Sequence, residues 1–184
     1  MKKIAMFIHT GHEEVEMLGA VDVMRRAGLQ CDIISATGDI MVTGSHNITL
    51  KADYLFEDAD LEAYDCYAIP GGIPGTPNLK SHQGVCDTLK KGYEQGKLVA
   101  AICAGPTVLG ELGILEGKDA TCYPGCEDGL GGANYRTDKK AVIDGNVITS
   151  RGLGTCLDYG LAIVEYFLGK ETADTLATKI VYTR

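Results

Sequence analysis

Residues Lys97-Leu98-Val99-Ala100-Ala101-Ile102-Cys103-Ala104-Gly105-Pro106 decide how the chain is read. Leu98 to Ile102 is an apolar run without polar alternation, the pattern of a strand buried on both faces. It stops at a cysteine flanked by small residues, and Pro106 stands at a natural first helical position. Strand, sharp turn and helix in that order are the setting of a nucleophile elbow. The turn lifts the side chain out of the core, and small neighbours let backbone N–H groups approach a developing oxyanion. A helix N-terminus also favours the thiolate, the form that attacks or is oxidised. A cysteine in a strand is most often a small buried side chain. The elbow setting separates Cys103 from the other six, at positions 31, 66, 86, 122, 126 and 156.

Working outward, Ile4-Ala5-Met6-Phe7-Ile8 is a second continuous apolar run, and Thr10 to Glu14 breaks it and feeds an apolar-periodic helix to Ala27. Gly28 stops that helix; Cys31 to Ser35 and Cys66 to Ile69 read as further strands, and the last long helix is expected from about Thr155 to Leu168. Strands of this kind separated by helices predict a parallel sheet covered on both faces. Two segments read as β-hairpins instead: Met41-Val42-Thr43 with Ile48-Thr49-Leu50, and Ala141-Val142-Ile143 with Val147-Ile148-Thr149. With no repeat, low-complexity tract or linker, residues 1–184 read as one domain. Its expected class is α/β, a flavodoxin-like, doubly wound, mostly parallel sheet with helices on both faces and added hairpins.

Ligands bind beyond the carboxyl ends of the strands in such sheets. Besides Cys103, two places there stand out. In Pro70-Gly71-Gly72 the paired glycines would let a backbone N–H point into a shared crevice, although Pro-Gly-Gly alone is also ordinary turn chemistry. Glu16 shares its helix face with Gly19, Ala20, Val23 and Ala27, all small or apolar, while Asp22 and Arg26 lie on the far side. A carboxyl group facing the packed side has its pKa raised by desolvation, and once neutral it can donate to a thiolate. A first-turn Glu also serves the helix dipole, which suits Glu13 and Glu14, and the wheel alone leaves both readings open for Glu16.

Composition excludes other classes. With 17 basic against 25 acidic residues the net charge is −8, which disfavours nucleic acid and anionic membranes as partners. No stretch approaches the roughly 20 apolar residues of a membrane span. Seven cysteines, an odd number in a chain of this length, suggest reduced thiols and a cytoplasmic location. Cys122 and Cys126 lack a second pair or histidine at zinc spacing, so no metal is expected. Gly129 to Gly132 does not open a helix after a strand as a dinucleotide fingerprint does, so no cofactor is expected either. His82 reads as a surface residue. Met17, Val21 and Met24 form a second apolar stripe on the first helix, which suggests isologous pairing of two chains.

Taken together, Glu13-Glu14-Val15-Glu16, Val21 to Gly28, Pro70-Gly71-Gly72, Ala100 to Thr107, Thr149 to Gly152 with Gly154-Thr155, and Leu161 to Glu165 resemble the DJ-1/PfpI superfamily. The resemblance runs nearly end to end and is strongest to the branch of the parkinsonism-associated deglycase and its bacterial ThiJ-like relatives. It implies a flavodoxin-like fold, a homodimer, Cys103 as reactive cysteine, Glu16 as its protonated hydrogen-bond partner, and Gly72 with Ala104 as backbone oxyanion donors. It also implies anion or substrate contacts from Arg26, and from His46 where the family has an arginine reaching toward the partner's site.

The chain departs from the family where many members have a histidine and Tyr123 stands instead, so a Cys-His dyad does not carry over to that position. General-base help is worth about 10²–10⁴ in rate. Three function classes follow: a cofactor-independent thiol enzyme acting on glyoxals or their early adducts, a redox-responsive or chaperone-like protein signalled by oxidation of Cys103, and, less favoured, a peptidase or amidotransferase-like hydrolase.

Overall fold

The structure is a computed structural model that describes all of residues 1–184. The chain runs through β1 (Lys3–Ile8), α1 (Glu14–Arg26), β2 (Gln30–Ser35), β3 (Met41–Thr43), β4 (Thr49–Lys51), β5 (Tyr54–Leu55) and β6 (Cys66–Ile69). It continues through α2 (Gly75–Ser81), α3 (Gln83–Glu94), β7 (Leu98–Ile102), α4 (Pro106–Glu111), β8 (Asp119–Ala120), β9 (Asn134–Tyr135), β10 (Ala141–Asp144), β11 (Val147–Ser150), α5 (Cys156–Leu168) and α6 (Lys170–Lys179). Seven strands form one sheet in the order β10-β11-β7-β6-β1-β2-β5, and only β10 runs antiparallel to its neighbour. This is the expected flavodoxin-like order.

The uninterrupted apolar strands have their physical reason in two cores. Successive side chains alternate across a strand, so Ile4, Met6 and Ile8 enter a cluster with α1, α5 and α6, while Ala5 and Phe7 enter another with α2, α3 and α4. Neither face meets water from Ile4 to Ile8 or from Leu98 to Ile102, and every side chain there is apolar. The two hairpins are present with different attachments. β3 and β4 stand apart as a two-stranded sheet, whereas β10–β11 joins the main sheet through β11 beside β7.

Three readings of the sequence need correction. The helix α6 was not expected, although Ala173, Leu176 and Ala177 carry a helical spacing and are its buried residues. The apolar stripe of Met17, Val21 and Met24 is not free for a second chain, because all three are buried in the core that α1 shares with α5. The large apolar residues that α1 does expose are Val15 and Leu18, at 46% and 44%. His82 is likewise half-buried: its Nδ1 accepts from the Val85 N–H at 3.1 Å to cap α3, and its ring meets Phe56 edge-on.

Because α1 carries Glu16, its seating on α5 sets the site. The two helices approach through small residues: a Cβ on Gly160 would lie 3.1 Å from the Ala20 Cα and from the Val23 Cβ. A branched side chain there must push α1 outward. We expect Gly160→Val to lose about 2–3 kcal/mol by overpacking, read from urea unfolding; unchanged stability would contradict this helix contact.

Candidate active site

The carboxyl ends of β1, β6 and β7 bring the sequence-predicted residues together. By strand alternation Cys103 would follow Val99 and Ala101 into the α2–α4 core. Instead its backbone has φ 66°, a left-handed conformation, and its side chain packs against the α1–α5 core. Such a conformation costs a non-glycine residue on the order of 1–3 kcal/mol and persists only where the surroundings enforce it. Here the Cys103 N–H donates to the Ser150 carbonyl at 3.0 Å, and its own carbonyl accepts from the Tyr123 N–H at 2.8 Å. The strained turn is what directs the thiol toward Glu16.

Glu16 meets it from α1. The Glu13 side chain caps the helix by accepting from the Glu16 N–H at 2.6 Å, and the Glu13 N–H donates to the Gly71 carbonyl at 3.0 Å. The helix start is thereby locked to the turn after β6. Glu16 is 1% exposed, and its Oε2 accepts from the Gly71 N–H at 2.9 Å. Gly71 is where carboxyl and thiol converge: a Cβ there would sit 2.8 Å from Glu16 Oε2 and 2.9 Å from Cys103 Sγ. The other oxygen, Oε1, is buried without a hydrogen-bond partner and faces Gly152 and the Tyr123 ring.

Electrostatics follow from this crowding. Burial pushes the Glu16 carboxyl up to about 7, opposed by its hydrogen bonds with Cys103 and Gly71 and reinforced by the charge of Glu13. Burial, then the Glu16 charge and hydrogen bond, push the Cys103 thiol up, against backbone N–H groups of Ala104 and Gly72 that point at the sulfur. Two adjacent anions are thus excluded: Glu16 gives up its proton only near neutrality, and the Cys103 thiol keeps its own beyond that. The thiolate-favouring helix expected from the sequence is α4, only six residues long, and it does not outweigh these effects.

The remaining predicted residues divide. Tyr123 stands at the rim, 53% exposed. His46, in the β3–β4 loop, pairs with the buried Glu14: its Nδ1 lies 2.9 Å from Oε2, and its backbone N–H donates to Oε1 at 2.7 Å. Burial pushes Glu14 up, but the His46 contacts prevail and bring it down to about 2. Glu13, Glu14 and His46 are the residues that could hold a cation, with ligand atoms within 4.8 Å of one another. Both Glu14 oxygens are already engaged by His46 and Ser45, so the cluster serves to close the loop onto α1. Arg26 is not brought to Cys103 within this chain. It is exposed, paired with Asp22 at 2.6 Å, and about 15 Å along α1 from Glu16. Sequence reasoning missed the Gly71 N–H as the Glu16 donor, although the paired glycines were its signal. It also missed the Glu14–His46 link, which joins residues 32 apart and has no local signature.

A strained cysteine after a central strand, facing a buried glutamate across a Pro-Gly-Gly turn, matches the DJ-1/PfpI family over residues 2–166. The chain belongs to this family. It is 37% identical over 183 residues to the Parkinson disease protein 7 homolog of Danio rerio, covering 98% of this chain and 97% of that one. It is 34% identical to a Caenorhabditis elegans protein named glutathione-independent glyoxalase DJR-1.2, covering 89% and 87%. The chain spans 41% of a longer relative, DJ-1 homolog B of Arabidopsis thaliana, at 35% identity. Among solved structures, oxidized Toxoplasma gondii DJ-1 superposes with a TM-score of 0.94 at 32% identity, covering 100% of both chains.

The buried carboxyl has a pH signature. Because the folded chain keeps the Glu16 proton to about 7 against an ordinary 4.5, its stabilising effect is complete below 4.5 and is lost as pH rises through 7. Glu16→Gln has no such proton to lose. In urea unfolding from pH 4 to 8, the wild type is expected to lose about 3 kcal/mol relative to Glu16→Gln; parallel profiles would contradict a buried, protonated carboxyl.

Proposed function

We propose that this DJ-1/PfpI protein is a cofactor-independent thiol enzyme acting on glyoxals or their early adducts. The observation that carries the reading is the convergence of Cys103 Sγ, Glu16 Oε2 and the N–H groups of Gly72 and Ala104 on one point. In this reading the Cys103 thiolate forms a bond to the aldehyde carbon of a 2-oxoaldehyde, and the carbonyl electron pair moves to oxygen, held by the two N–H groups. Glu16, which takes the thiol proton as the sulfur attacks, gives it to that oxygen; as a carboxylate it then takes the proton from that carbon and returns it to the neighbouring carbon, while the hydroxyl proton passes to the neighbouring oxygen. One carbon is oxidised as the other is reduced, so the balance closes without an external electron carrier. Water cleaves the resulting thioester, freeing the thiol and a 2-hydroxy acid. A carboxyl group poised near neutrality suits both proton transfers, and the unpartnered Oε1 of Glu16 leaves one oxygen free for substrate. The name of the Caenorhabditis elegans relative supports the substrate class.

On α1 Val15 and Leu18 are exposed, and Ile48 of the β3–β4 loop is 53% exposed. This supports a homodimer in which His46 and the hairpin lie at the junction.

A redox role is the second reading, favoured by the same N–H groups. A sulfinate on Cys103 would find donors in Gly72, Ala104 and neutral Glu16, and a solved relative is described as oxidized.

One assay separates the readings. Purified protein given methylglyoxal is expected to form lactate above the buffer background, with at least about 10²-fold loss in Cys103→Ala and in Glu16→Gln. On graded peroxide, activity should fall in step with oxygen gained at Cys103. Lactate at background level in the untreated wild type would overturn the enzyme reading and leave the redox one.

A further inference from the structure

The loop after β8 holds two thiols that the Cys103 site does not use. In Cys122-Tyr123-Pro124-Gly125-Cys126 the Cys126 N–H donates to the Tyr123 carbonyl at 3.0 Å, and Gly125 has φ 95°. The chain therefore reverses over Tyr123–Cys126, and the reversal turns the Cys126 backbone N–H toward the Cys122 sulfur. Cys122 enters that turn directly. It is fully buried in the α2–α4 core, and Cys126 packs against the same apolar cluster while half-buried. The two sulfurs thus belong to one tight reversal packed on the same cluster, the inner one shielded and the outer one half-buried.

No other pair of cysteines is so placed. Cys31 and Cys66 both neighbour Ile4 in the sheet but on opposite sides of it. That puts them two strand spacings, roughly 9.6 Å, apart, beyond the about 4.4–6.8 Å Cα separation that a disulfide spans. Cys86 on α3 and Cys156 on α5 belong to helices on opposite faces of the sheet.

We propose that Cys122 and Cys126 form a reversible intramolecular disulfide when the protein meets a hydroperoxide, a modification site separate from Cys103. The half-buried Cys126 sulfur attacks the peroxide, breaking the O–O bond and giving a sulfenic acid and water. The Cys122 sulfur then attacks the Cys126 sulfur and displaces hydroxide, which leaves as water with the Cys122 proton. Two thiols and one hydroperoxide give one disulfide, one water and one further water or alcohol. Burial pushes both thiols up, Cys122 to about 12, so neither is a ready thiolate and the pair responds to sustained rather than brief peroxide. The bond would tether Tyr123, whose N–H donates to the Cys103 carbonyl and whose ring covers Gly152 at the rim.

The test is peptide mapping without reductant after hydrogen peroxide treatment, on the wild type and on Cys103→Ala. Trypsin, cutting after Lys118 and Arg136, leaves both thiols in one peptide, residues 119–136. That peptide is expected to be two hydrogens lighter and to resist iodoacetamide until dithiothreitol is added, in both proteins. Cys126→Ser and Cys122→Ala should each abolish the two-hydrogen loss while remaining folded by circular dichroism. A peptide that stays reduced once Cys103 is fully oxidised would overturn the proposal. So would oxygen addition at Cys126 in place of the loss, or a bond found only between two chains.

Discussion

A carboxyl group and a thiol pressed together without water cannot both be charged, and the site is arranged around that constraint. Glu16 is enclosed to 1% exposure beside Cys103, where desolvation favours the protonated acid and mutual repulsion forbids the doubly ionised pair. At least one proton therefore stays with the pair, and Glu16 gives up the first near neutrality. The Gly71 N–H fixes Oε2, the N–H groups of Gly72 and Ala104 face the sulfur, and Oε1 is left unpaired toward the rim. A group that gives and takes its proton near neutrality is of use to an acid–base step and to stabilising an oxidised sulfur, which is why both readings draw on the same atoms.

The fold supplies the rigidity that this pairing demands. The left-handed turn at Cys103 is held by Ser150 on one side and Tyr123 on the other, and Gly71 ties the start of α1 to the end of β6. Three strand ends and one helix start are thus cross-linked through backbone groups. α1 rests on α5 by way of Gly160, and Gly19 lies against Cys156, so the carboxyl group is carried on a closely seated helix.

The parts legible in the sequence are those set by periodicity and by local turn chemistry. Leu98 to Ile102 followed by Cys103-Ala104-Gly105-Pro106 specified a buried strand and an elbow, and the wheel around Glu16 placed its carboxyl group on the packed side. Arrangements that depend on tertiary contact were not legible. The stripe of Met17, Val21 and Met24 looked like spare apolar width because nothing local indicates that α5 would cover it. Arg26 shares α1 with Glu16, yet the helix carries it away from the site and Asp22 holds it at the surface. The Glu14–His46 pair exists only because the β3–β4 hairpin folds back over α1, and the acidity of Cys103 could not be judged from the elbow without knowing how closely Glu16 would press on it.

The most direct test of this account is a carbon-13 NMR titration of the Glu16 carboxyl in protein labelled at glutamate Cδ, with Glu16→Gln identifying the resonance. The account predicts a midpoint near 7, in one step that moves up in Cys103→Ala because the Cys103 hydrogen bond that lowers it is gone. A midpoint in the ordinary range of about 4–5, unchanged when the sulfur is removed, would contradict it.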